Sequence, residues 1–183
     1  MSALKEGKGP SSANPPDEDT TVQIHLRPAR EEDVPTLVPL LLRLKRLNEE
    51  FDPLLRVRDD AEQQARQILT ADLANPKAIV MVAEGVGSDR EKIVGFSRAH
   101  VRERAFYAPE HEGVILDIYL LPLYRRRGAG EFVLQKMSDA LRAKGAGLVT
   151  AEFPARNEIA SRFYSKRGFR SITVVQARSL DGT

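Results

Sequence analysis

The sequence predicts a mixed α/β fold in which helices cover both faces of one central sheet. The predicted elements follow the order strand, helix, helix, three strands, helix, strand, helix, strand. A Gly-Ser-Asp turn joins two of the strands, which predicts an antiparallel hairpin. A nearly continuous apolar strand, a helix and another strand then occupy residues 113–153, and this unit predicts a right-handed crossover between parallel strands.

The first elements are predicted to be one strand followed by two helices. Residues 21–27 alternate as a half-buried strand does. Residues 29–51 carry acids in their first turn and leucines at helical spacing, and Pro39 is expected to kink or break that helix. Residues 59–76 form the second predicted helix, which the Asn-Pro pair at its end stops.

Three strands are predicted in the middle of the chain. Residues 78–85 and 92–103 form the hairpin, and both are bounded by turn residues. Residues 113–121 are apolar almost throughout, which is typical of a strand in the middle of a sheet that is covered on both faces.

The last part of the chain alternates between helix and strand. The predicted elements are a helix at residues 131–145, a strand at 147–153, a short helix at 157–168 and a final strand at 169–177. Gly145 and Gly168 are placed to end the two helices. Ile159 and Phe163 share one face of the short helix, so we expect both to pack in the core.

The 183-residue chain is long enough for a single domain with a well-buried core, which we assign to residues 21–183. Residues 1–20 are rich in Pro, Ser, Gly and charge and are expected to form a disordered tail. The N-terminus has no apolar signal region, and the longest apolar run of the first half, residues 34–42, is too short to cross a bilayer. These features predict a cytoplasmic protein that has no membrane partner.

Charge and cysteine content exclude several kinds of function. The 28 basic and 26 acidic residues give a net charge of +2, which argues against a nucleic-acid binder. Because the chain has no cysteine, disulfides, thiolate metal sites and a cysteine nucleophile are excluded. His25, His100 and His111 lack metal-binding spacing, so no metal site is expected.

Three arginines and two glycines separate the apolar strand from the helix after it: Arg125, Arg126, Arg127, Gly128 and Gly130. The start of a helix carries unpaired N–H groups and the positive end of the helix dipole, where anions bind. Glycine lets a phosphate approach these groups, and arginine adds forked donors. The stretch therefore favours a phosphate or diphosphate ligand. The alternative is a glycine-rich turn with a solvated run of arginines.

These residues resemble the cofactor motif of the GCN5-related N-acetyltransferase (GNAT) superfamily, whose Gln or Arg, Gly, and Gly or Ala are matched by Arg125, Gly128 and Gly130. A second region of that family is matched by Asn157, Tyr164, Gly168 and Phe169. The resemblance covers about residues 21–177. It implies the acyl-CoA N-acyltransferase fold, a mostly antiparallel sheet in which strands 4 and 5 are parallel and splay apart after a bulge.

The resemblance also implies acetyl transfer from acetyl-CoA, as co-substrate, to an amine. The pantetheine arm would pair with the backbone of Ile118, Tyr119 and Leu120, and the residues implied at the diphosphate are Arg125, Arg126, Arg127, Gly128, Ala129, Gly130 and Glu131. Glu131 stands where the family often has a neutral or basic residue. Its carboxylate is therefore expected to point away or to be offset by Arg126 and Arg127. Asn157 is expected to cap its helix, to contact the cofactor, or both.

Three side chains are candidates for the chemistry, and each has an alternative role. Without cysteine, direct attack in a ternary complex is the natural mechanism. Tyr164 is the candidate acid that protonates the thiolate, or else a core tyrosine. Glu152, predicted in the fifth strand, matches the base of protein N-terminal acetyltransferases, or else pairs with Arg156 or another arginine. Asp117, the lone charge in its strand, could bind the substrate ammonium, assist as base, or pair with an arginine.

The acceptor is less well defined than the cofactor. Glu49, Glu50 and Asp52 lie in the loop that contacts the acceptor in this family, which favours a small cationic amine, a lysine or a protein N-terminus. A non-catalytic domain that binds or senses acyl-CoA is the alternative function. Dimers are frequent in the family, so a homodimer is compatible with the resemblance.

Overall fold

The computed structural model describes residues 24–125 and 128–180. Its main elements are β1 (Ile24–Pro28), α1 (Val34–Glu49), α2 (Ala61–Ala74), β2 (Ala78–Gly85), β3 (Ile93–Glu103), β4 (His111–Leu120), α3 (Ala129–Ala143), β5 (Leu148–Ala151) and α4 (Glu158–Ser165). The tail predicted at residues 1–20 lies outside the described residues, as do Arg126 and Arg127. Within the described ranges, no helix is long and apolar enough to cross a membrane.

The five strands form one sheet in the order β1-β2-β3-β4-β5. All neighbouring strands are antiparallel except β4 and β5, which are parallel and joined by α3. The predicted hairpin is β2–β3, with Ala78 opposite His100 at its open end. The prediction of a mixed, mostly antiparallel sheet with a parallel pair at strands 4 and 5 is therefore confirmed.

Strands β4 and β5 separate soon after they pair. Their register covers only Glu112↔Leu148 to Ile115↔Ala151. On the other side of β4, Asp117 lies opposite Arg98 whereas Ile115 lies opposite Ala99, so residue 116 is the extra residue of a β-bulge. Beyond the bulge, residues 116–120 have no described strand beside them on the β5 side. This is the predicted splay.

Helices pack on both faces of the sheet, as predicted. On one face α1 and α2 bury their apolar stripes against Val80, Val82, Phe96 and Tyr119. On the other face α3 and α4 pack against Ile79, Ala99, Val101 and Ile115. Full burial of one such aliphatic or aromatic side chain stabilises the fold by about 1.5–3 kcal/mol, so both layers contribute to holding β4 in place.

Helix α1 runs without a break through Pro39, so of the two expected effects a break is wrong, and a kink stays a prediction. Pro39 lies in the second turn, where its missing N–H removes one bond near the helix start. Leu37, Val38 and Leu41 around it are at most 3% exposed. Their burial against the sheet outweighs the lost hydrogen bond.

The final strand predicted at residues 169–177 does not form. The segment has strand-forming residues, but its apolar side chains are exposed, with Val174 at 74% and Val175 at 90%. The segment pairs with no described strand, although the outer edge of β5 is open, and without pairing it buries no face of its own. Ile159 is also 82% exposed, so its predicted place in the core is wrong, whereas Phe163 packs against the core as predicted.

The fit between β4 and α3 makes a testable prediction. A Cβ at Gly113 would lie 2.6 Å from Leu141 Cδ1, and Leu141 is fully buried. We expect Gly113→Ala to lower the free energy of unfolding in urea by about 1–3 kcal/mol, as overpacking does. In a Leu141→Ala background the same substitution should cost far less, because the clash is gone. An equal cost in both backgrounds would contradict the contact.

Candidate functional site

A glycine turn opens α3. Gly128 has φ 75° and ψ 2°, a left-handed conformation, and no atom lies within 4 Å of where its Cβ would stand. The first helical bond runs from Phe132 N to Gly128 O at 2.9 Å, so the N–H groups of the three residues before Phe132 have no acceptor inside the helix. Glycine is required here because other residues avoid this φ. The turn presents these donors to whatever occupies the space in front of it.

The unpaired edge of β4 leads into this turn. Leu121 N donates to Val94 O at 2.8 Å, toward β3. Because N–H and C=O groups alternate in direction along a strand, Ile118 and Leu120 direct theirs to the opposite edge, where β5 has diverged. Arg125 Nε indeed donates to Leu120 O on that edge, at 2.8 Å. Residues 118–120 are expected from the sequence to hold an extended ligand. Ile118 and Leu120 direct their N–H and C=O groups to the open edge, whereas the N–H and C=O groups of Tyr119 face β3.

Arg125 contacts the protein itself. Besides bonding to Leu120 O, its guanidinium carbon lies 5.3 Å from the centre of the Tyr119 ring. Arg125 therefore joins the end of β4 to the turn, which shapes the site rather than reaching out as a free cation. Arg126 and Arg127, which the sequence also places here, lie outside the described residues.

Glu131 is neutralised by a residue that the sequence did not indicate. Its Oε2 accepts from Arg167 Nη2 at 3.0 Å, and Arg167 stacks 4.1 Å from the centre of the Phe163 ring. Arg167 Nη1 also donates to Phe163 O at 2.8 Å. These contacts tie the segment after α4 to the first turn of α3 and offset the negative charge that Glu131 brings to the anion site.

The ring of Tyr164 packs in an aromatic cluster, and its hydroxyl group keeps its proton. Its ring stacks on Phe153 at a centroid distance of 5.3 Å and contacts Phe163 and Phe169, each at 5.1 Å. Burial, followed by the charge of Asp117, raises the pKa of Tyr164 to about 12. The hydroxyl thus stays protonated at neutral pH. Asn157, at the other end of α4, accepts from Ala160 N at 3.0 Å and caps the helix as predicted.

Glu152 lies one residue beyond β5, so its predicted place within the strand is wrong. Its backbone N–H still donates to Ile115 O at 3.0 Å, and this is the last bond before the strands diverge. Its carboxylate is half-exposed and accepts from Arg102 Nη1 at 2.6 Å. The alternative of pairing with an arginine is thus realised, through Arg102 rather than Arg156.

Asp117 belongs to a buried chain of charges under α1 and α2. Its Oδ1 lies 2.6 Å from Lys45 Nζ and its Oδ2 lies 2.8 Å from Arg98 Nε. Arg98 Nη1 reaches Asp72 at 2.8 Å, and the other Asp72 oxygen lies 2.7 Å from His100 Nε2. Burial lowers the pKa of Arg98, but the two carboxylates outweigh burial and the net shift is upward. Of the three roles considered for Asp117, pairing with an arginine is present, and a lysine accompanies it.

Two of the three loop acids hold their own loop together. Glu49 Oε1 accepts from Val57 N, and Asp52 Oδ1 accepts from Leu54 N at 2.9 Å. Glu50 instead lines an open cleft with Arg43 and Arg46. The described residues contain no group of three His, Cys, Asp or Glu side chains arranged to hold a metal ion.

Comparison with known proteins identifies the family of this chain. The model of the acetyltransferase (GNAT) family matches residues 43–169, more than half of the chain. The chain belongs to the GNAT acetyltransferase family. The matched range begins within α1 and includes the β4 edge, the glycine turn, Glu152 and Tyr164, so the whole candidate site lies inside the GNAT domain.

Relatives of known sequence or structure agree with this assignment. The uncharacterized N-acetyltransferase YhfO of Bacillus subtilis is 23% identical over 155 residues, which cover 82% of this chain and 92% of that protein. A predicted acetyltransferase from Clostridium acetobutylicum, crystallised with acetyl-CoA, has a TM-score of 0.69 at 16% identity, over 86% of this chain and 96% of that one. A tetramutant of the BH1408 protein of Bacillus halodurans has a TM-score of 0.71 at 18% identity, over 85% and 99%. These structures share the GNAT fold.

Several residues of the GNAT site escaped the sequence analysis. Arg98 could have been found, because a charge inside an otherwise apolar strand requires a buried partner, and Asp117 poses the same requirement. Lys45, Arg102 and Arg167 carry no such indication, since each occupies an ordinary position in a polar stretch. Their roles arise only when distant segments meet.

The raised pKa of Tyr164 gives a prediction about stability. In the unfolded chain its phenol ionises near pH 10, and in the folded protein near pH 12. The stabilisation is therefore complete below pH 10 and is lost as the pH rises toward 12. We expect the free energy of unfolding to fall across this range by about 2–3 kcal/mol more for wild type than for Tyr164→Phe. Urea unfolding at several pH values measures this difference.

Tyr107→Phe is the matched control, because Tyr107 is 69% exposed. Its stability should follow that of the wild type over the whole range. If the gap between wild type and Tyr164→Phe does not change with pH, the buried environment of Tyr164 is refuted.

Proposed function

We propose that the protein moves an acetyl group from acetyl-CoA to a primary amine by direct attack within a ternary complex. One observation carries the proposal. The edge of β4 left open beyond Ile115 runs directly into the left-handed turn at Gly128, whose helix N-terminus follows. A ligand with an extended amide-bearing arm and a diphosphate fits both parts together, and coenzyme A has this chemistry.

Two kinds of contact support cofactor binding. The outward N–H and C=O groups of Ile118 and the C=O of Leu120 can pair with the amides of the pantetheine arm as an added strand would, which leaves the Leu120 N–H for the thioester carbonyl. The free N–H groups at the start of α3 suit the diphosphate. The Clostridium acetobutylicum protein crystallised with acetyl-CoA shares this fold, which is consistent with the same cofactor here.

The mechanism assigns one task to each candidate group. Acetyl-CoA supplies a thioester that an amine nitrogen can attack, with cleavage of the carbon–sulfur bond. The N–H of Leu120 would stabilise the negative charge that develops on the carbonyl oxygen. Tyr164, which keeps its proton at neutral pH, would protonate the departing sulfur. Glu152 would accept the proton of the attacking ammonium, directly or through water.

Glu152 suits the role of base better than Asp117 does in this arrangement. Within the described chain, both oxygens of Asp117 already accept from cations, one from Lys45 and one from Arg98. Glu152 uses one oxygen in its pair with Arg102, and its side chain is 56% exposed. Asp117 is then better suited to holding a positive charge than to accepting a proton.

The cofactor site is tested by calorimetry with coenzyme A. We expect Gly128→Ala to weaken binding by at least about tenfold, because the new methyl group strains the left-handed turn and stands in front of the donors. Gly87→Ala is the matched control, since Gly87 also has φ 70° with nothing within 4 Å of its Cβ, but it lies in the β2–β3 turn. Equal affinities in the two variants would refute the diphosphate site.

The catalytic role of Tyr164 is tested by thiol release with a panel of primary amines. We expect Tyr164→Phe to reduce kcat by about 10²–10⁴-fold, because it removes the proton donor for the leaving sulfur. Its affinity for coenzyme A should be unchanged, since the ring packing is preserved. A normal kcat in Tyr164→Phe argues against the assignment, and coenzyme A binding without thiol release for any amine favours a non-catalytic binding domain instead.

A further inference from the structure

Lys45 covers a buried carboxylate next to the proposed thioester slot. Its Nζ lies 2.6 Å from Asp117 Oδ1. The Lys45 side chain is 39% exposed, whereas that of Asp117 is 1% exposed. The lysine ammonium is thus the group that stands between this carboxylate and solvent.

Asp117 depends on Lys45 for its second charged contact. Asp117 and Asp72 share Arg98, whose Nε and Nη1 each reach one of the two carboxylates at 2.8 Å. The other oxygen of Asp72 lies 2.7 Å from His100 Nε2, and the other oxygen of Asp117 lies against Lys45. A buried charge is costly unless it is paired, so this oxygen of Asp117 requires a cation.

Of the two cations on Asp117, only Lys45 can be exchanged easily. Arg98 lies in the middle of β3, is 9% exposed and is held at both ends by carboxylates. Lys45 projects from α1 on a flexible stem, and its described hydrogen bond is to Asp117 alone. The Lys45 ammonium is strongly hydrated once it reaches water, and an incoming ammonium restores the pair on Asp117, so an exchange of the two conserves the buried charge.

Asp117 also lies where an acceptor must arrive. It directly follows the bulge at residue 116 and begins the open stretch of β4 that ends at Leu120. Leu120, whose N–H is assigned to the carbonyl oxygen, lies in the same open stretch. An ammonium on Asp117 would therefore lie three residues along the strand from that donor.

We propose that Asp117 Oδ1 is the binding site for the acceptor's ammonium group, and that Lys45 occupies it until an acceptor displaces it. The inference rests on the proposed function for the role of the bound amine. The expected substrate is a primary alkylammonium on an unbranched chain. Such a group has the same chemistry as the Lys45 side chain that it replaces, so the buried charge is conserved. Glu49 and Asp52 are already used within their loop, and Glu50 lines a cleft together with Arg43 and Arg46, which favours Asp117 as the cation site.

The binding step is tested without any cofactor. Lys45→Ala removes the internal ammonium together with Cγ, Cδ and Cε, and n-butylammonium carries the same group on a chain longer by one carbon, at a position that is 39% exposed. We expect calorimetry to give at least about tenfold tighter n-butylammonium binding to Lys45→Ala than to wild type. Its melting temperature should rise with n-butylammonium chloride and not with n-butanol or equal sodium chloride.

Two further variants make the result specific. Lys45→Met fills the same space without a charge, so it should fold and fail to bind n-butylammonium. Lys92→Ala is the matched control, because Lys92 forms a comparable ion pair with Asp89 at 2.9 Å in the β2–β3 turn. It should behave as the wild type does. Equal binding in Lys45→Ala, Lys92→Ala and Lys45→Met, or equal stabilisation by n-butanol, would overturn the proposal.

A kinetic measurement separates this inference from the proposed function. With acetyl-CoA present, Lys45→Ala should lower KM for n-butylamine by at least about tenfold, because the internal competitor is gone. An unchanged or higher KM overturns the inference. If instead coenzyme A does not bind to wild type, the proposed function fails, and the cofactor-free binding of n-butylammonium still decides whether Asp117 is an ammonium site.

Discussion

The separation of β4 from β5 is the constraint on which the site depends. Parallel pairing stops at Ile115, and the bulge at residue 116 turns the remaining part of β4 away. Backbone groups that would otherwise complete a sheet are left without a strand, in a molecule whose two helical layers hold both strands firmly. The left-handed turn at Gly128 opens α3, whose first residue Ala129 shares a core cluster with Leu120 at the end of that edge. These are the two sets of donors that the proposed cofactor would use.

A network of buried charges lies between this part of β4 and the helices α1 and α2. Asp72, Arg98, Asp117 and Lys45 come from α2, β3, β4 and α1, so their contacts connect four elements across one helical layer. Ion pairs of this kind add little net stability compared with apolar packing, yet removal of a single partner is costly because it leaves a charge unpaired. The network therefore fixes the relative positions of the elements more than it strengthens the fold. Its outermost member, Lys45, is the one that another cation could replace on Asp117.

Local patterns predicted most of the fold, and tertiary partners explain the remainder. The β2–β3 hairpin and the parallel crossover follow from apolar runs and turn residues, which the sequence displays directly. Residues 169–177 have the composition of a strand but pair with no described strand, and their apolar side chains stay exposed. Pro39 is tolerated because its neighbours in α1 are buried. Both outcomes depend on tertiary contacts rather than on local sequence. In the site, Gly128 and Asn157 act through backbone geometry and were foreseeable. The contacts of Lys45 and Arg167 join distant segments, so no spacing in the sequence could indicate them.

The core-packing role of Tyr164 and its proposed role as the acid depend on the same contacts. The aromatic cluster of Phe153, Phe163 and Phe169 packs its ring, and that same packing removes water from the hydroxyl. Removal of water disfavours the phenolate, which is why the proton is kept at neutral pH. A departing thiolate needs a neutral donor that does not ionise beforehand, and an exposed phenol in a flexible loop would be less well positioned. Core packing is therefore what keeps the proton that the proposed mechanism would transfer.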